Sequence, residues 1–407
     1  MAKFTFEGLS NGNEPEAGKI TVYDDDHKPL VLGAEYQLGR TGASGSVYEI
    51  ASAPEYCVKI FKPQELADRT RRNRLISSLE AMLKMPECMG DRRLCWPLGL
   101  VRDEKDMVIG YAMRRIPKDY VTFKSIFYGA KSVSRRFPAW GRRELAQTAK
   151  NFVDALIDLE ARGVRPADFN AENMVCNERC EVKFIDCDSF MFYERNGTVH
   201  TSAMYCKESA PVEILRNPTV AAGEPRTVEQ TCFSAAVLSF MLVMTGQHPY
   251  AHAGASLDGS YTESHEENIL MGKCPLGRGA GCQQAPNWYA TWSWITGSLQ
   301  SAFIATFRDG HENPVARTPL ERLSMELGKF AYECARTPER NELAPAHPKP
   351  REAHSANAYG PRTCGFAPRV PMQRPYVHRN GPQRNFGFRP YGTLPNNAYR
   401  SFGGNNY

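Results

Sequence analysis

The stretch DFNAEN (168–173), followed thirteen residues later by DCD (186–188), is the strongest structural signal in this chain. Its polar side chains suit phosphoryl transfer, which needs positioning and charge neutralisation more than covalent help. A carboxylate must face the accepting hydroxyl, while an asparagine and a second aspartate hold metal ions beside the phosphates. Asp168, Asn173 and Asp186 supply these groups in that order, which predicts a site for Mg²⁺ and ATP.

The twelve residues between these loops, MVCNERCEVKFI (174–185), read as two short strands around a polar turn at Asn177–Arg179. A hairpin here would bring Asn173 and Asp186 to one edge. The alternative is an accidental hairpin that is rich in Asp and Asn.

The paired loops resemble the catalytic and metal-binding loops of the protein-kinase superfamily. The segment FIDCDSF (184–190) is similar to the corresponding segment in a bacterial group of that superfamily. Members of this group are encoded beside tellurite-resistance proteins, a von Willebrand-type protein and a PP2C-type phosphatase. The resemblance covers roughly residues 30–335. It implies an α+β, two-lobed protein-kinase-like fold, with a small β-rich N-lobe at about 19–113 and a helical C-lobe at about 117–336.

A glycine-rich segment, LGRTGASGSVY (38–48), lies between two strand-like runs. Glycine lets the backbone approach a phosphate closely, although an ordinary hairpin turn is the alternative. The match to a kinase loop is imperfect, because Arg40 occupies the first glycine position. The resemblance assigns nucleotide contacts to Gly39, Gly42, Gly45 and Val47.

Lys59 lies inside the apolar strand YCVKIF (56–61). A lysine in a buried strand is costly unless it meets a negative partner, and the α- and β-phosphates of ATP would be that partner. A solvated edge strand is the alternative. The resemblance also requires a glutamate on the next helix to hold this lysine, and Glu80 is our candidate, with Glu65 and Asp68 as rivals.

Two further strands are predicted at 96–101 and 107–113. The resemblance implies that the second ends in a hinge, where the backbone near Met113 would contact adenine. Apolar spacing predicts an amphipathic helix at 141–162. The almost wholly apolar run 233–244 is too short to cross a bilayer, and we interpret it as the central helix of the C-lobe.

The segment APVE (210–213) resembles the element that ends the activation segment of kinases. Its Glu213 is predicted to pair with Arg317 near the end of the lobe. That pair would be structural rather than catalytic.

Departures from the family pattern concern the catalytic loop. Pro166 and Ala167 replace the usual histidine and arginine, and Asn170 replaces a lysine. The aspartate expected at the start of the central helix is Thr231, or nearby Gln230 or Glu229. Asp188 stands where glycine often lies. Because Ala167 is not basic, a phosphate on the activation segment would lack its usual partner, so obligatory activation by phosphorylation is not expected.

Length and composition agree with an intracellular enzyme. The 407 residues allow two or three domains, and no secretory signal follows the first methionine. The twelve cysteines form no C-x-x-C pair, which predicts a reducing, cytoplasmic compartment and no membrane segment. Residues 1–18 read as a flexible leader, and 251–295 as a long insertion or surface loop.

The last 71 residues, 337–407, contain eleven Pro and carry nine Arg and one Lys against three Glu, a formal charge of +7. The whole chain carries +5, so residues 1–336 carry −2. We interpret this segment as a disordered tail. Arginine and aromatic residues alternate in it, which suits nucleic acid or another polyanion; a linker or partner-docking tail is the alternative.

The sequence therefore predicts an ATP-dependent protein kinase that phosphorylates Ser or Thr of a protein substrate. The resemblance assigns Lys59 to the phosphates, Glu80 to Lys59, Asp168 to the hydroxyl, and Asn173 and Asp186 to Mg²⁺. It adds a phosphatase or von Willebrand-type protein as an expected partner. The alternatives are a nucleotide-binding pseudokinase that recruits a partner through its tail and, more weakly, a small-molecule kinase.

Overall fold

The computed structural model describes most of the chain up to Pro350. The described residues are 4–12, 19–39, 42, 44–252, 264–277 and 288–350. From residue 351 onward, the predicted disordered tail and its polyanion binding therefore fall outside the described residues. Arg40 in the glycine-rich segment also falls outside them.

The N-terminal lobe is built on one seven-stranded sheet with the order β2-β1-β6-β7-β5-β4-β3, in which neighbouring strands run antiparallel. Its strands are β1 Ile20–Tyr23, β2 Pro29–Leu32, β3 Gln37–Leu38, β4 Gly45–Glu49, β5 Tyr56–Phe61, β6 Pro97–Arg102 and β7 Val108–Arg114. Strand β5 is interior to the sheet, and Lys59 on it is buried. The alternative of a solvated edge strand for Lys59 is thus wrong.

The prediction of a flexible leader at 1–18 is wrong for residues 4–12. Phe6 is 2% exposed and packs with Val22 and Leu30 under the sheet. The Asn11 amide donates to the Val31 carbonyl and its oxygen accepts from the backbone of residue 51. The polar composition of this segment concealed two alternating aromatic side chains that find apolar neighbours only in the folded sheet.

Three helices follow β5, namely α1 Pro63–Ala67, α2 Arg69–Met82 and α3 Pro86–Gly90. The Asp68 carboxylate caps α2 by accepting from the backbone of Arg71 at 2.7 Å. Leu79 and Met82 are fully buried against the sheet. Helix α2 is therefore held by apolar contacts along its inner face.

The C-terminal lobe is helical. Its helices are α4 Phe123–Ile126, α5 Ala130–Arg136, α6 Arg142–Glu160, α7 Val212–Arg216, α8 Pro218–Gly223, α9 Val228–Val243, α10 His265–Leu270, α11 Tyr289–Ser293, α12 Gly297–Ile304, α13 Leu320–Arg336 and α14 Pro338–Asn341. Helices α6 and α9 confirm the two predicted C-lobe helices. Helix α9 is buried on nearly all sides, and Thr227 opens it with a capping box.

Two small sheets lie in this lobe. One joins β8 Val121–Thr122, β10 Met174–Cys176 and β11 Val182–Phe184; the other joins β9 Val164–Arg165, β12 Met191–Tyr193 and β13 Val199–His200. Strands β10 and β11 pair antiparallel from Met174↔Phe184 to Cys176↔Val182. The hairpin predicted between the two polar loops is confirmed.

Two predicted boundaries need correction in this lobe. Residues 337–350 do not belong to the tail, because the Trp294 indole donates to the carbonyl of His347 and Leu343 packs against the core. The segment 251–295 is not simply a surface loop, because its described parts contain α10 and α11 and bury Ile269 and Trp292. Isolated apolar residues among Pro and Gly gave no periodic signal for either.

Nine of the ten described cysteines are buried and no disulfide joins any of the ten. Buried free cysteine ordinarily behaves as a small apolar core residue. Within the part of the chain that the structure describes, no helix has the length and apolar character needed to cross a bilayer.

Candidate active site

The β10–β11 hairpin places the two polar loops side by side. The backbone N–H of Ile185 donates to the carbonyl of Asn173 at 2.9 Å, one residue beyond the last ladder pair. The Asn173 N–H in turn donates to the carbonyl of Asn170 at 2.8 Å, which closes the first loop. Asn173 and Asp186 therefore flank the open end of the hairpin.

Asp168 is tied to this end by Asn173, whose amide donates to the Asp168 carboxylate at 3.0 Å. Burial raises the pKa of the Asp168 carboxyl, the hydrogen bond from Asn173 opposes that rise, and the negative charge of Asp186 adds to it. A carboxylate with a raised pKa is a stronger proton acceptor than an ordinary aspartate. The geometry and the electrostatics both suit a base that faces a hydroxyl.

Asp186 has an unusual backbone conformation. Its φ of 54° and ψ of 40° lie in the left-handed region, which non-glycine residues adopt rarely, Asp more often than most. The Ser189 hydroxyl donates to the Asp186 carbonyl at 2.9 Å and supports this turn. The Asp186 side chain is 45% exposed, so its carboxylate is open to a ligand.

Lys59 meets this turn from the N-lobe. Its ammonium lies 3.2 Å from one Asp186 oxygen and 2.9 and 3.0 Å from the two Asp188 oxygens. Burial lowers the pKa of Lys59, but the charges of Asp188 and Asp186 outweigh burial and the pKa is raised. The lysine is therefore charged and joins the two lobes.

The prediction that Glu80 holds Lys59 is wrong for this structure. Glu80 is exposed on α2, and among the described residues Lys59 forms its ion pairs with Asp186 and Asp188. The rivals are occupied elsewhere, since Glu65 pairs with Arg71 and Asp68 caps α2. Sequence spacing selected Glu80, but the helix turns that residue towards solvent.

The described residues of the glycine-rich segment, 38–39, 42 and 44–48, lie at the end of β3, before β4 and within β4. Gly39 has a φ of +68°, and the Gly42 N–H donates to the Gly45 carbonyl at 2.8 Å. A Cβ on Gly45 would lie 2.3 Å from the carbonyl oxygen of Ile60 on β5, so glycine is required there by strand packing. Val47 pairs with Lys59 across β4 and β5. Phosphate contacts by this segment stay a prediction.

Met113 lies near the end of β7, opposite Cys57, with its side chain buried. Its backbone is at the point where the sheet leads into the helical lobe. The predicted contact between this backbone and adenine stays a prediction.

Two serines to which the sequence analysis gave no function brace the loop 168–173. The Ser209 hydroxyl donates to the carbonyl of Phe169, next to Asp168, at 2.9 Å. The Ser234 hydroxyl on α9 donates to the carbonyl of Ser209 at 2.8 Å. These bonds connect the loop 168–173 to the central helix α9. The polar Ser234 inside an apolar helix was the available signal.

The donor set fits a magnesium ion. Carboxylate and amide oxygens are hard ligands of the kind that Mg²⁺ prefers. Among the described residues no cluster of three or more His, Cys, Asp or Glu could hold a metal by itself. Mg²⁺ usually keeps several waters and substrate phosphates and takes one or two protein groups, and Asn173 and Asp186 as those groups stay a prediction.

Known proteins are similar to part of this chain. No protein-family model matches the chain. Protein kinase YegI of Escherichia coli strain K12 is 24% identical over 235 residues, which are 57% of this chain and 34% of the relative. Protein kinase YegI of E. coli O157:H7 is 24% identical over 236 residues, with the same two shares. The chain thus spans about a third of the length of these curated relatives.

Among solved structures, a rhoptry kinase from Toxoplasma gondii aligns with 78% of this chain and 84% of its own, with a TM-score of 0.49 and 15% identity. The fold of this chain rests on its own architecture, a β-rich lobe and a helical lobe joined after β7, with the paired polar loops between them. Over part of its length, the chain is similar in sequence to these two curated protein kinases.

Proposed function

We propose that this chain is an ATP-dependent protein kinase that transfers the γ-phosphate to Ser or Thr of a protein substrate. The observation that carries the proposal is the convergence of four groups. Asp168, Asn173 and Asp186 meet at one end of a hairpin, and Lys59 reaches them from the other lobe. Phosphoryl transfer needs positioning and charge neutralisation of this kind.

Each group has a separate role in this proposal. Asn173 and Asp186 hold Mg²⁺, which when bound neutralises charge on the phosphates. Lys59 contacts the α- and β-phosphates through its ammonium. Asp168 orients the substrate hydroxyl and accepts its proton, and Asn173 keeps that carboxylate in place. The backbone near Met113 receives adenine.

The partner classes follow from the resemblance rather than from contacts. A protein with an exposed hydroxyl is the expected substrate. The bacterial group that the chain resembles adds a phosphatase and a von Willebrand-type protein as expected partners.

A nucleotide-binding pseudokinase is the second candidate, because one observation favours it. Helix α2 presents no acidic residue to Lys59, and Lys59 engages Asp186, the proposed metal ligand. Such an arrangement would suit a protein whose output is conformation. The retained Asp168, braced through Phe169 and Ser209, favours catalysis instead.

The test compares Asp186→Asn with Asp168→Asn in the full chain. Asp186→Asn should abolish Mg²⁺-dependent ATP binding, because it removes a metal ligand. Asp168→Asn should spare binding and lower transfer by about 100-fold or more, the range for a general base. Glu178→Gln, exposed at the turn of the same hairpin, is the matched control and should leave both unchanged.

Binding is measured by calorimetry with and without Mg²⁺, and transfer by labelled phosphate in autophosphorylation and on a mixed protein acceptor. Equal loss of ATP binding in both aspartate variants would refute the assigned roles. Wild-type protein that binds ATP without any transfer would favour the pseudokinase. Wild-type protein that binds no nucleotide would refute both candidates.

A further inference from the structure

Asp188 is the most closely engaged partner of Lys59. Its two carboxylate oxygens accept from the ammonium at 2.9 and 3.0 Å, whereas Asp186 offers one oxygen at 3.2 Å. The Asp188 side chain is only 10% exposed, against 45% for Asp186. The better-buried and two-pronged contact is therefore the one with Asp188.

Tyr111 fixes Asp188 from the sheet. Its hydroxyl donates to one Asp188 oxygen at 2.8 Å, and the residue is fully buried on β7, directly across from Lys59 on β5. The Lys59 ammonium also lies 5.8 Å from the ring centres of Phe61 and Tyr111. Lysine, aspartate and tyrosine thus form one buried polar cluster with apolar walls, in which each polar group has a partner.

Helix α2 has no acidic side chain that faces Lys59. Glu80 is the one acidic residue between Arg69 and Met82, and it is exposed. The positions that face the core are apolar, with Leu79 and Met82 fully buried. Bringing Glu80 to Lys59 would require a rotation of α2 that pulls these side chains out of the core.

The geometry points to Asp188 as the residue that positions Lys59, in place of a glutamate on the helix after β5, with Tyr111 holding Asp188. This inference rests on the proposed function, since it concerns how the same nucleotide site is kept in order. Asp188 keeps Lys59 paired while the exposed carboxylate of Asp186 is available to metal. The lysine is then positioned by the DCD turn and by β7, and its placement does not depend on α2.

The experiment compares three single variants in the full chain: Asp188→Asn, Tyr111→Phe and Glu80→Gln. The Kd of Mg-ATP is measured by calorimetry, together with kcat and KM for ATP in autophosphorylation. A hydrogen bond to a charged group is worth a factor of ten or more in an equilibrium. Asp188→Asn should therefore weaken Mg-ATP binding or lower kcat/KM by about tenfold or more. Tyr111→Phe should have a smaller effect of the same kind, and Glu80→Gln should change neither quantity beyond about twofold.

A double-mutant cycle separates positioning from a general structural effect. If Asp188 acts through Lys59, Asp188→Asn should add little further loss in a Lys59→Met background, whereas independent effects would add in full. Asp188→Glu should restore part of the binding. Thermal unfolding without nucleotide is recorded for every variant, and it should show the same non-additivity between Lys59 and Asp188, because the pair exists before ATP binds.

The outcomes are distinct. Wild-type protein that binds no Mg-ATP overturns the proposed function and this inference together. Wild-type binding with Asp188→Asn unaffected, or with additive effects of Asp188→Asn and Lys59→Met, overturns the inference alone. A tenfold loss in Glu80→Gln overturns it as well, and would show that α2 turns Glu80 inward when nucleotide is bound.

Discussion

Replacing Glu213 by glutamine should remove one of the main structural ion pairs of the C-lobe. The Arg317 guanidinium is completely buried and donates to the two Glu213 oxygens at 2.7 and 2.9 Å. Its other donors reach the carbonyls of Gly310 and Glu229, and it lies 5.3 Å from the ring centre of Phe233. This pair joins α7 to the end of the lobe and confirms the sequence-based prediction.

The expected loss follows from the burial of the arginine. Breaking a buried pair by removing one partner costs about 3–5 kcal/mol, because an uncompensated charge stays inside. The Glu213 side chain is 30% exposed, so water can reach its place. We therefore expect the lower end, about 3 kcal/mol of unfolding free energy.

The assay is urea unfolding of Glu213→Gln and wild type at pH 7, with fits that hold the m-value common. Glu312→Gln is the matched control, because Glu312 makes the same two-pronged contact with Arg216 at 2.9 and 2.6 Å. That pair is exposed at both ends, so the control should be indistinguishable from wild type. Equal stability of Glu213→Gln and Glu312→Gln would refute the argument from burial.

Three further predictions concern stability. Burial favours a higher pKa for Asp91, but hydrogen bonds from two arginines lower it. Asp91→Asn should thus lower the free energy of unfolding by about 2 kcal/mol at neutral pH. In acid titrations of unfolding, the difference from wild type should shrink as the pH falls below about 4. Gly246→Ala should lower the free energy of unfolding by about 2 kcal/mol or more, because φ is +93° and the new Cβ would lie 1.8 Å from a backbone oxygen. Gly297→Ala, with open space around the new Cβ, should leave the stability unchanged in the same thermal unfolding measurements. Truncation after Arg336 should lower the melting temperature because it removes contacts with the core, and truncation after Pro350 retains them; equal melting of the two would contradict this.

Several features were predictable from sequence because they depend on local pattern. The hairpin at 174–184 followed from two β-prone runs around a polar turn. Helices α6 and α9 followed from apolar spacing and from length. Lys59 within an apolar strand predicted a buried charge that requires a negative partner, whatever that partner is.

What the tertiary structure decided is which distant groups meet. Sequence spacing offered Glu80 as the partner of Lys59, but the rotation of α2 is set by how Leu79 and its apolar neighbours pack, which turns Glu80 outward. Asp188 pairs with Lys59 instead of Glu80, because the left-handed turn at Asp186 brings both aspartates to this lysine.

Contacts between residues far apart in the sequence also decide the two ends of the described chain and the support of the loop 168–173 by the serines. Phe6, Leu343 and Ser234 carry little local signal, since each is a single residue in a segment of different character. Their partners lie far away along the chain, so their contacts exist only once the core has formed. Sequence by itself determined the elements and the chemistry of the loops, whereas packing between elements determined which carboxylate positions the lysine.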